Sequence, residues 1–170
     1  MEKKPDFFRE VTLCVSLRLS ATEMAEDLFT LLRSRMPCEL LQMSYIDEDV
    51  GELRSLALVE WRNGRRVSQN SSTLFSFPHD VIELIRKGPP GGHRPPRVAV
   101  IRVGEKPKRP PSHPALEEGF KRFRLEGYNV AIIDLHIETQ HLGALFIAAR
   151  PPADFTAEHV RMLEDVIEPL

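Results

Sequence analysis

Val130-Ala131-Ile132-Ile133-Asp134-Leu135-His136-Ile137 and His141-Leu142-Gly143-Ala144-Leu145-Phe146-Ile147-Ala148-Ala149, separated by Glu138-Thr139-Gln140, decide the fold. Each run is strand length and almost continuously apolar at its centre. A strand that reads this way is covered on both faces, because a half-exposed strand alternates polar and apolar residues. The three-residue connection permits only an antiparallel pair. The sequence therefore predicts an antiparallel sheet sandwiched between two layers.

Working outward, the layers are helical. Ala115 to Glu126 carries Leu116, Phe120 and Phe123 at helical spacing before Gly127 stops it. Thr156 caps a last helix bearing Val160, Leu163, Val166 and Ile167. At the other end, Phe7, Phe8, Val11, Cys14, Val15 and Leu19 form the stripe of a first helix that begins after Pro5-Asp6. Ser20 and Glu23 make an S-x-x-E capping box for a second helix, with Met24, Leu28, Leu31 and Leu32 as its stripe and Pro37 as its end. Glu39 to Asp47 and Glu52 to Trp61 are strands around an Asp47-to-Gly51 turn, and Asn63-Gly64 marks a tight hairpin. Val67 to Phe77 is ambiguous, and His79 to Lys87 is a short helix. Between Gly88 and Pro114 eight prolines and four glycines exclude regular helix, and only Arg97 to Val103 reads as a strand. The fold class expected is α+β: a central antiparallel sheet with helices on both faces, the first and last helices packing on one of them.

Composition bounds the function. The 170 residues fit a single domain spanning 1–170, and 42% hydrophobic content supplies a core. A formal charge of −2 gives no global reason to expect nucleic acid or membrane binding. No apolar run reaches the roughly 18 residues of a membrane span, and no signal-peptide pattern opens the chain. A cytoplasmic location with reduced Cys14 and Cys38 is the simpler expectation. The ending at Val166-Ile167-Glu168-Pro169-Leu170 suggests a chain that continues into a further domain.

Four segments resemble a known family. Phe7-Phe8-Arg9-Glu10-Val11-Thr12-Leu13 is similar to the opening of the GAF domains that precede the ATPase in sigma-54-dependent transcriptional activators, the bacterial enhancer-binding proteins of the formate-regulator type. Tyr45-Ile46-Asp47 with Gly51-Glu52-Leu53 resembles the first GAF hairpin. Leu142-Gly143-Ala144-Leu145-Phe146-Ile147 resembles the closing strand, and Phe155-Thr156-Ala157-Glu158-His159 leading to Leu163 the last helix. The resemblance spans essentially the whole chain. It implies a small-molecule sensor that signals through its terminal helices to a downstream ATPase; a homodimer is expected separately, because the first and last helices are both amphipathic. No Walker A motif is present, so this piece is not expected to be an ATPase, nor an enzyme of another kind.

Candidate ligand-binding residues are Tyr45, Trp61, Phe77, Arg97 and Arg102. The aromatics suit a mainly apolar pocket. The arginines belong to a basic stretch, Arg86, Lys87, Arg94, Arg97, Arg102, Lys106, Lys108 and Arg109 against Glu105 alone. In a GAF fold that region lies near the cavity mouth, which would favour an anionic ligand. A solvated basic loop and an acidic partner surface are the competing readings. No catalytic residue, cofactor or metal is expected. The six histidines lack zinc spacing, His136 and His141 merely flanking a turn, and the cysteine pattern suits neither a methionine sulfoxide reductase nor a bilin held by a late cysteine. The N-K-x-x-F-x-x-x-D-E run of cyclic-nucleotide GAF domains is absent. Two alternatives stay open: a ligand-free dimerisation or docking module, and a small redox enzyme using an exposed Cys38 of lowered pKa. Direct nucleic-acid binding through the basic loop is a weaker third.

Overall fold

A computed structural model describes residues 7–47, 49–70, 73–87, 97–104, 114–137, 140–165 and 167. The order is α1 (Phe7–Ser16), α2 (Ala21–Arg33), β1 (Leu40–Asp47), β2 (Glu52–Arg62), β3 (Arg65–Asn70), β4 (Leu74–Ser76), α3 (His79–Lys87), β5 (Val98–Ile101), α4 (Pro114–Arg122), β6 (Asn129–Ile137), β7 (Gln140–Ala149) and α5 (Ala157–Glu164). The strands form one seven-stranded sheet in the order β3-β2-β1-β7-β6-β5, with β4 also paired to β2. Every pairing is antiparallel.

Local chemistry explains the boundaries. The Ser20 hydroxyl accepts from the Glu23 N–H at 3.2 Å and starts α2, a cap of about 1 kcal/mol. The helix ends at Arg33, ahead of Pro37, as Ser34 N–H turns back to Leu31 and Leu32 carbonyls. Asn63 and Gly64 hold φ of 52° and 75°, the left-handed pair a two-residue hairpin requires between β2 and β3. The ambiguous stretch after it resolves into two short strands, β3 and β4, on the outer edge of β2. The expected strand at Arg97–Val103 narrows to β5. Thr156 caps α5, and His159 Nδ1 accepts from the Thr156 N–H at 3.2 Å to close the box. The helix expected to reach Glu126 ends instead at Arg122, and Arg124 takes φ 58° where a glycine would be at ease.

Alternation along the strands divides the core into two faces. On one, Leu41, Met43, Ala57, Val59, Ala131, Ile133, Leu145, Ile147 and Ala149 meet Val11 of α1, Ala25, Leu28, Phe29 and Leu32 of α2, and Leu163 of α5. The first and last helices thus share one face, as expected. The stripe of α1 is only partly used: Val11 is buried, whereas Phe8 and Leu19 are exposed. On the other face Leu40, Ile46, Leu53, Leu58, Val130, Ala144, Phe146 and Ala148 meet Phe75, Phe123 and Leu125. One position fixes the seam between β1 and β7. Gly143 has φ 154°, and a Cβ there would lie 2.0 Å from the Ser44 carbonyl oxygen. No side chain fits without parting the two strands.

Candidate functional site

The second face has a polar floor. Gln42 and Ser44 on β1 and Ser55 on β2 are buried on it at 1%, 4% and 1% exposure. Ser44 Oγ donates to the Ala144 carbonyl at 2.9 Å. Among the described residues, neither Gln42 Nε2 nor Ser55 Oγ has a hydrogen-bond partner. A buried donor without a partner costs about 1–3 kcal/mol, so a pair of them on one face is a marked departure from a sealed core.

Gln42 lines a cavity of about 60 Å³ together with Leu58, Gln69, Thr73, Arg122, Phe123 and Arg124. The end of α4 and the turn after it form its lip. Arg122 is steadied there, its Nε donating to the Leu74 carbonyl at 3.1 Å. Leu125 N–H bonds to Phe120 and Arg124 N–H to Lys121, which sets the left-handed turn that carries the Arg124 side chain. An aromatic chain runs back from Phe123: Phe77 on Phe75 edge-on at 4.9 Å, Phe75 on Phe123 at 6.3 Å, and Phe123 stacked on Phe146 at 6.4 Å.

The five sequence-predicted ligand residues occupy separate places. Phe77 joins that aromatic chain. Tyr45 follows Leu41 and Met43 in alternation, so it lies on the α1–α2–α5 side of the sheet and is 41% exposed. Trp61 sits at the opposite end of the β1–β2 pair, beneath the Arg33 guanidinium at 4.4 Å. Arg97 precedes β5, its side chain exposed and its carbonyl accepting from Asp134 N–H at 3.3 Å. Arg102 leaves β5 and clamps the segment before α5. Its Nε meets Asp154 Oδ2 at 2.6 Å and Nη2 donates to the Phe155 carbonyl at 3.1 Å. Beside it, Asn129 accepts from Val103 N–H and donates to the Ala153 carbonyl. Burial opposes ionisation of Asp154, but the Arg102 hydrogen bond and the Phe155 N–H outweigh it, and the carboxyl sits below its ordinary value. The structure does not bring the five together, and the residues that do converge were missed. A signal existed: Gln42 and Ser44 alternate inside an otherwise apolar run, which puts two polar groups on one buried face.

The other basic residues of the proline-rich segment, Arg94, Lys106, Lys108 and Arg109, lie outside the described residues, as do the side chains of Arg86 and Lys87 and of His136 and His141. Among the described residues no group of three His, Cys, Asp or Glu could hold a metal ion. No described helix is long and apolar enough to cross a membrane.

Comparison with solved structures places this architecture. The phycocyanobilin-bound GAF domain of a cyanobacterial phytochrome matches with a TM-score of 0.63 and 13% identity, over 96% of this chain and 88% of that one. The chain carries the GAF fold. A phycoerythrobilin-bound GAF domain from a cyanobacterial phytochrome matches at 0.61 and 13% identity, over 96% of this chain and 89% of that one. The chromophore-binding domain of a bacteriophytochrome from R. palustris matches at 0.61 and 14% identity, over 98% of this chain and 60% of that one. No protein-family model matches the chain, and no curated protein matches its sequence.

Within this GAF fold the two cysteines stand away from the cavity. Cys38 belongs to the core on the α1–α2–α5 face, and burial pushes its thiol well up, with Arg33 only partly opposing. The redox-enzyme alternative needed the reverse, an exposed thiol of lowered pKa, so Cys38 is a small buried hydrophobe. Cys14 lies on α1, its thiol also raised, first by burial and then by Asp27 and Glu10.

Proposed function

We propose that this GAF fold is a small-molecule-sensing regulatory domain whose ligand enters between the sheet and the α3–α4 side. The observation that carries the reading is the buried, unpartnered Gln42 amide on the wall of a cavity, beside two arginines. The solved relatives of this fold are described by their bound chromophores, which supports a ligand role for the fold here. The resemblance of Phe7 to Leu13 supports the finer assignment: the sensor of a sigma-54-dependent transcriptional regulator, acting on an ATPase that follows in the same protein.

A signalling route fits this assignment. The cavity and α1 and α5 lie on opposite faces of one sheet. Arg102 and Asn129 tie the exit of β5 to residues 153–155, immediately before the α5 cap. A ligand that binds one arrangement of that segment more tightly shifts α5 by that difference in affinity and no more. Phe8, Leu13, Leu17 and Leu19 are exposed on and just after α1, which suits a homodimer through that helix.

The size of the cavity favours a second reading. At about 60 Å³ it is far below the ~300–1,000 Å³ of common ligand pockets, as in a docking module without ligand. Thermal unfolding against small carboxylates, nucleotides and purines, with sedimentation across a dilution series, separates the two. A concentration-dependent rise in Tm supports the sensor. A dimer that persists on dilution with no ligand response supports the docking module.

A further inference from the structure

The hairpin that joins β2 to β3 carries three arginines and a tryptophan in six residues, Trp61-Arg62-Asn63-Gly64-Arg65-Arg66, with no acidic residue among them. Arg62 and Arg65 are register partners on either side of the turn. Such a pair stands on one face of the sheet with Cβ atoms about 4.5–5.5 Å apart, and two like charges placed there repel. Arg62 is partly compensated by the Glu60 carboxylate at 2.6 Å. Arg65 is exposed and makes no ion pair among the described residues. On the other face of the hairpin Trp61 is 41% exposed beside its register partner Arg66, and the Arg33 guanidinium at the end of α2 lies over the indole ring. Arg66 is held there by Glu26 and the Thr30 hydroxyl.

Solubility alone does not call for this arrangement. Charged side chains on an edge strand keep it from pairing with another chain. That accounts for Arg65 and Arg66 on the outermost strand, and not for Arg62 or Trp61, which sit on β2 behind it. The opposed guanidinium groups of Arg62 and Arg65 cost the free domain stability, and an anion within reach of both relieves that cost. Tryptophan and arginine are also the residue types enriched among the few that dominate binding at protein interfaces. We propose that this end of the hairpin is a docking surface for an acidic segment of a partner protein. Arg62 and Arg65 receive its carboxylates, and Trp61, steadied by Arg33, packs against its apolar side chains. A nucleic acid fits less well. One indole face is already taken by Arg33 and lost to base stacking. A long polyanion also runs on towards α2, which carries Glu23, Glu26 and Asp27, whereas a short segment stops at the hairpin. The surface is separate from the cavity, since Arg62 and Arg65 lie four residues along their strands from Leu58 and Gln69. The inference therefore stands whether or not the cavity takes a ligand.

The test is fluorescence anisotropy of a labelled glutamate-rich peptide with a central leucine, titrated with the domain at low and raised salt. Its glutamine counterpart and an oligothymidylate of similar length run in parallel. The acidic peptide is expected to bind, more weakly as salt rises, and the glutamine peptide is expected not to bind. Arg62→Gln combined with Arg65→Gln is expected to weaken binding about tenfold or more, the loss that accompanies removal of charge-assisted hydrogen bonds. Arg9→Gln, at an exposed cation on α1, is expected to leave binding unchanged. Arg65→Gln alone is expected to hold or raise the Tm of the free domain, because it relieves the opposed pair, so lost binding is not lost folding. A fall in that Tm overturns the opposition of charges on which the proposal rests. An equal loss of binding in Arg9→Gln overturns it in favour of diffuse charge attraction. Oligothymidylate binding more tightly than the peptide, and lost in the same double variant, overturns the protein partner and assigns the hairpin to nucleic acid. No binding of the acidic peptide at low salt, where attraction between charges is strongest, overturns the docking surface itself.

Discussion

The two faces of the sheet use the same strands to different ends. Toward α1, α2 and α5 the described inward positions are mainly apolar, Asn129 apart, and Phe29, Leu28, Leu32, Leu145, Ile147 and Leu163 are all within 1% of complete burial. Toward α4 the same strands present Gln42, Ser44 and Ser55, a cavity, and a chain of phenylalanines. On the first face the buried Asn129 amide is hydrogen-bonded at both ends, and on the second some capacity is left unused. The difference teaches where to look for function: a protein tolerates a costly polar group in its core when something other than stability keeps it there.

The largest perturbation strikes the seam that both faces share. Gly143→Ala puts a methyl group into the Ser44 backbone, which cannot yield as a side-chain tip would. A loss above about 4 kcal/mol is expected, enough to unfold a marginally stable domain. A cooperative urea transition near the parent midpoint would show that β1 and β7 are not held this closely.

The next effect separates the faces. Leu28→Ala on the sealed side is expected to cost about 3–5 kcal/mol, whereas Leu58→Ala, beside the existing cavity, falls toward about 2 kcal/mol because water can enter the space. Equal losses in chemical denaturation would mean that both faces are equally dry.

A smaller effect concerns the clamp between them. Arg102→Ala should cost about 1 kcal/mol or less, since Asp154 is partly exposed and solvent screens the pair. The Asp154 carboxyl has a lowered folded pKa, so its contribution is complete above the unfolded value near 3.9 and is lost as pH falls through the folded one. The stability gap between parent and variant should therefore be flat at neutral pH and close below about pH 4. A gap that closes near pH 6 would assign the effect to another group. Smallest of all, Gln42→Leu should change stability by about 0 to 1 kcal/mol in the favourable direction, because it removes an unpaired buried donor. A clear loss of stability would show that the amide is satisfied in the free domain.

The sequence made the framework legible and the site less so, for physical reasons. Strand pairs, the Ser20 and Thr156 caps and the Asn63-Gly64 turn follow from local rules that a chain obeys almost regardless of context. Val67 to Phe77 resisted because an edge strand needs no apolar alternation, and β3 is polar for that reason. Arg102 is a candidate from its place in the basic stretch, but β5 stops at Ile101 and the side chain turns to Asp154, a partner 52 residues away that no local pattern announces. Arg124 was hidden by an expected helix end at Gly127, whereas the chain turns three residues earlier. Gln42 was readable from parity alone, had the interruption of an apolar strand been weighed as a signal.

Trp61 is the chain's one tryptophan, and it lies under Arg33 where the end of α2 meets β2, on the face away from the cavity. It is therefore an optical gauge already fitted to the α1–α2–α5 side. A guest in the cavity has no direct contact through which to quench or shift its emission. A change in that emission on titration would be a readout of strain crossing the sheet, and its absence alongside a rise in Tm would describe a receptor that holds its guest in silence.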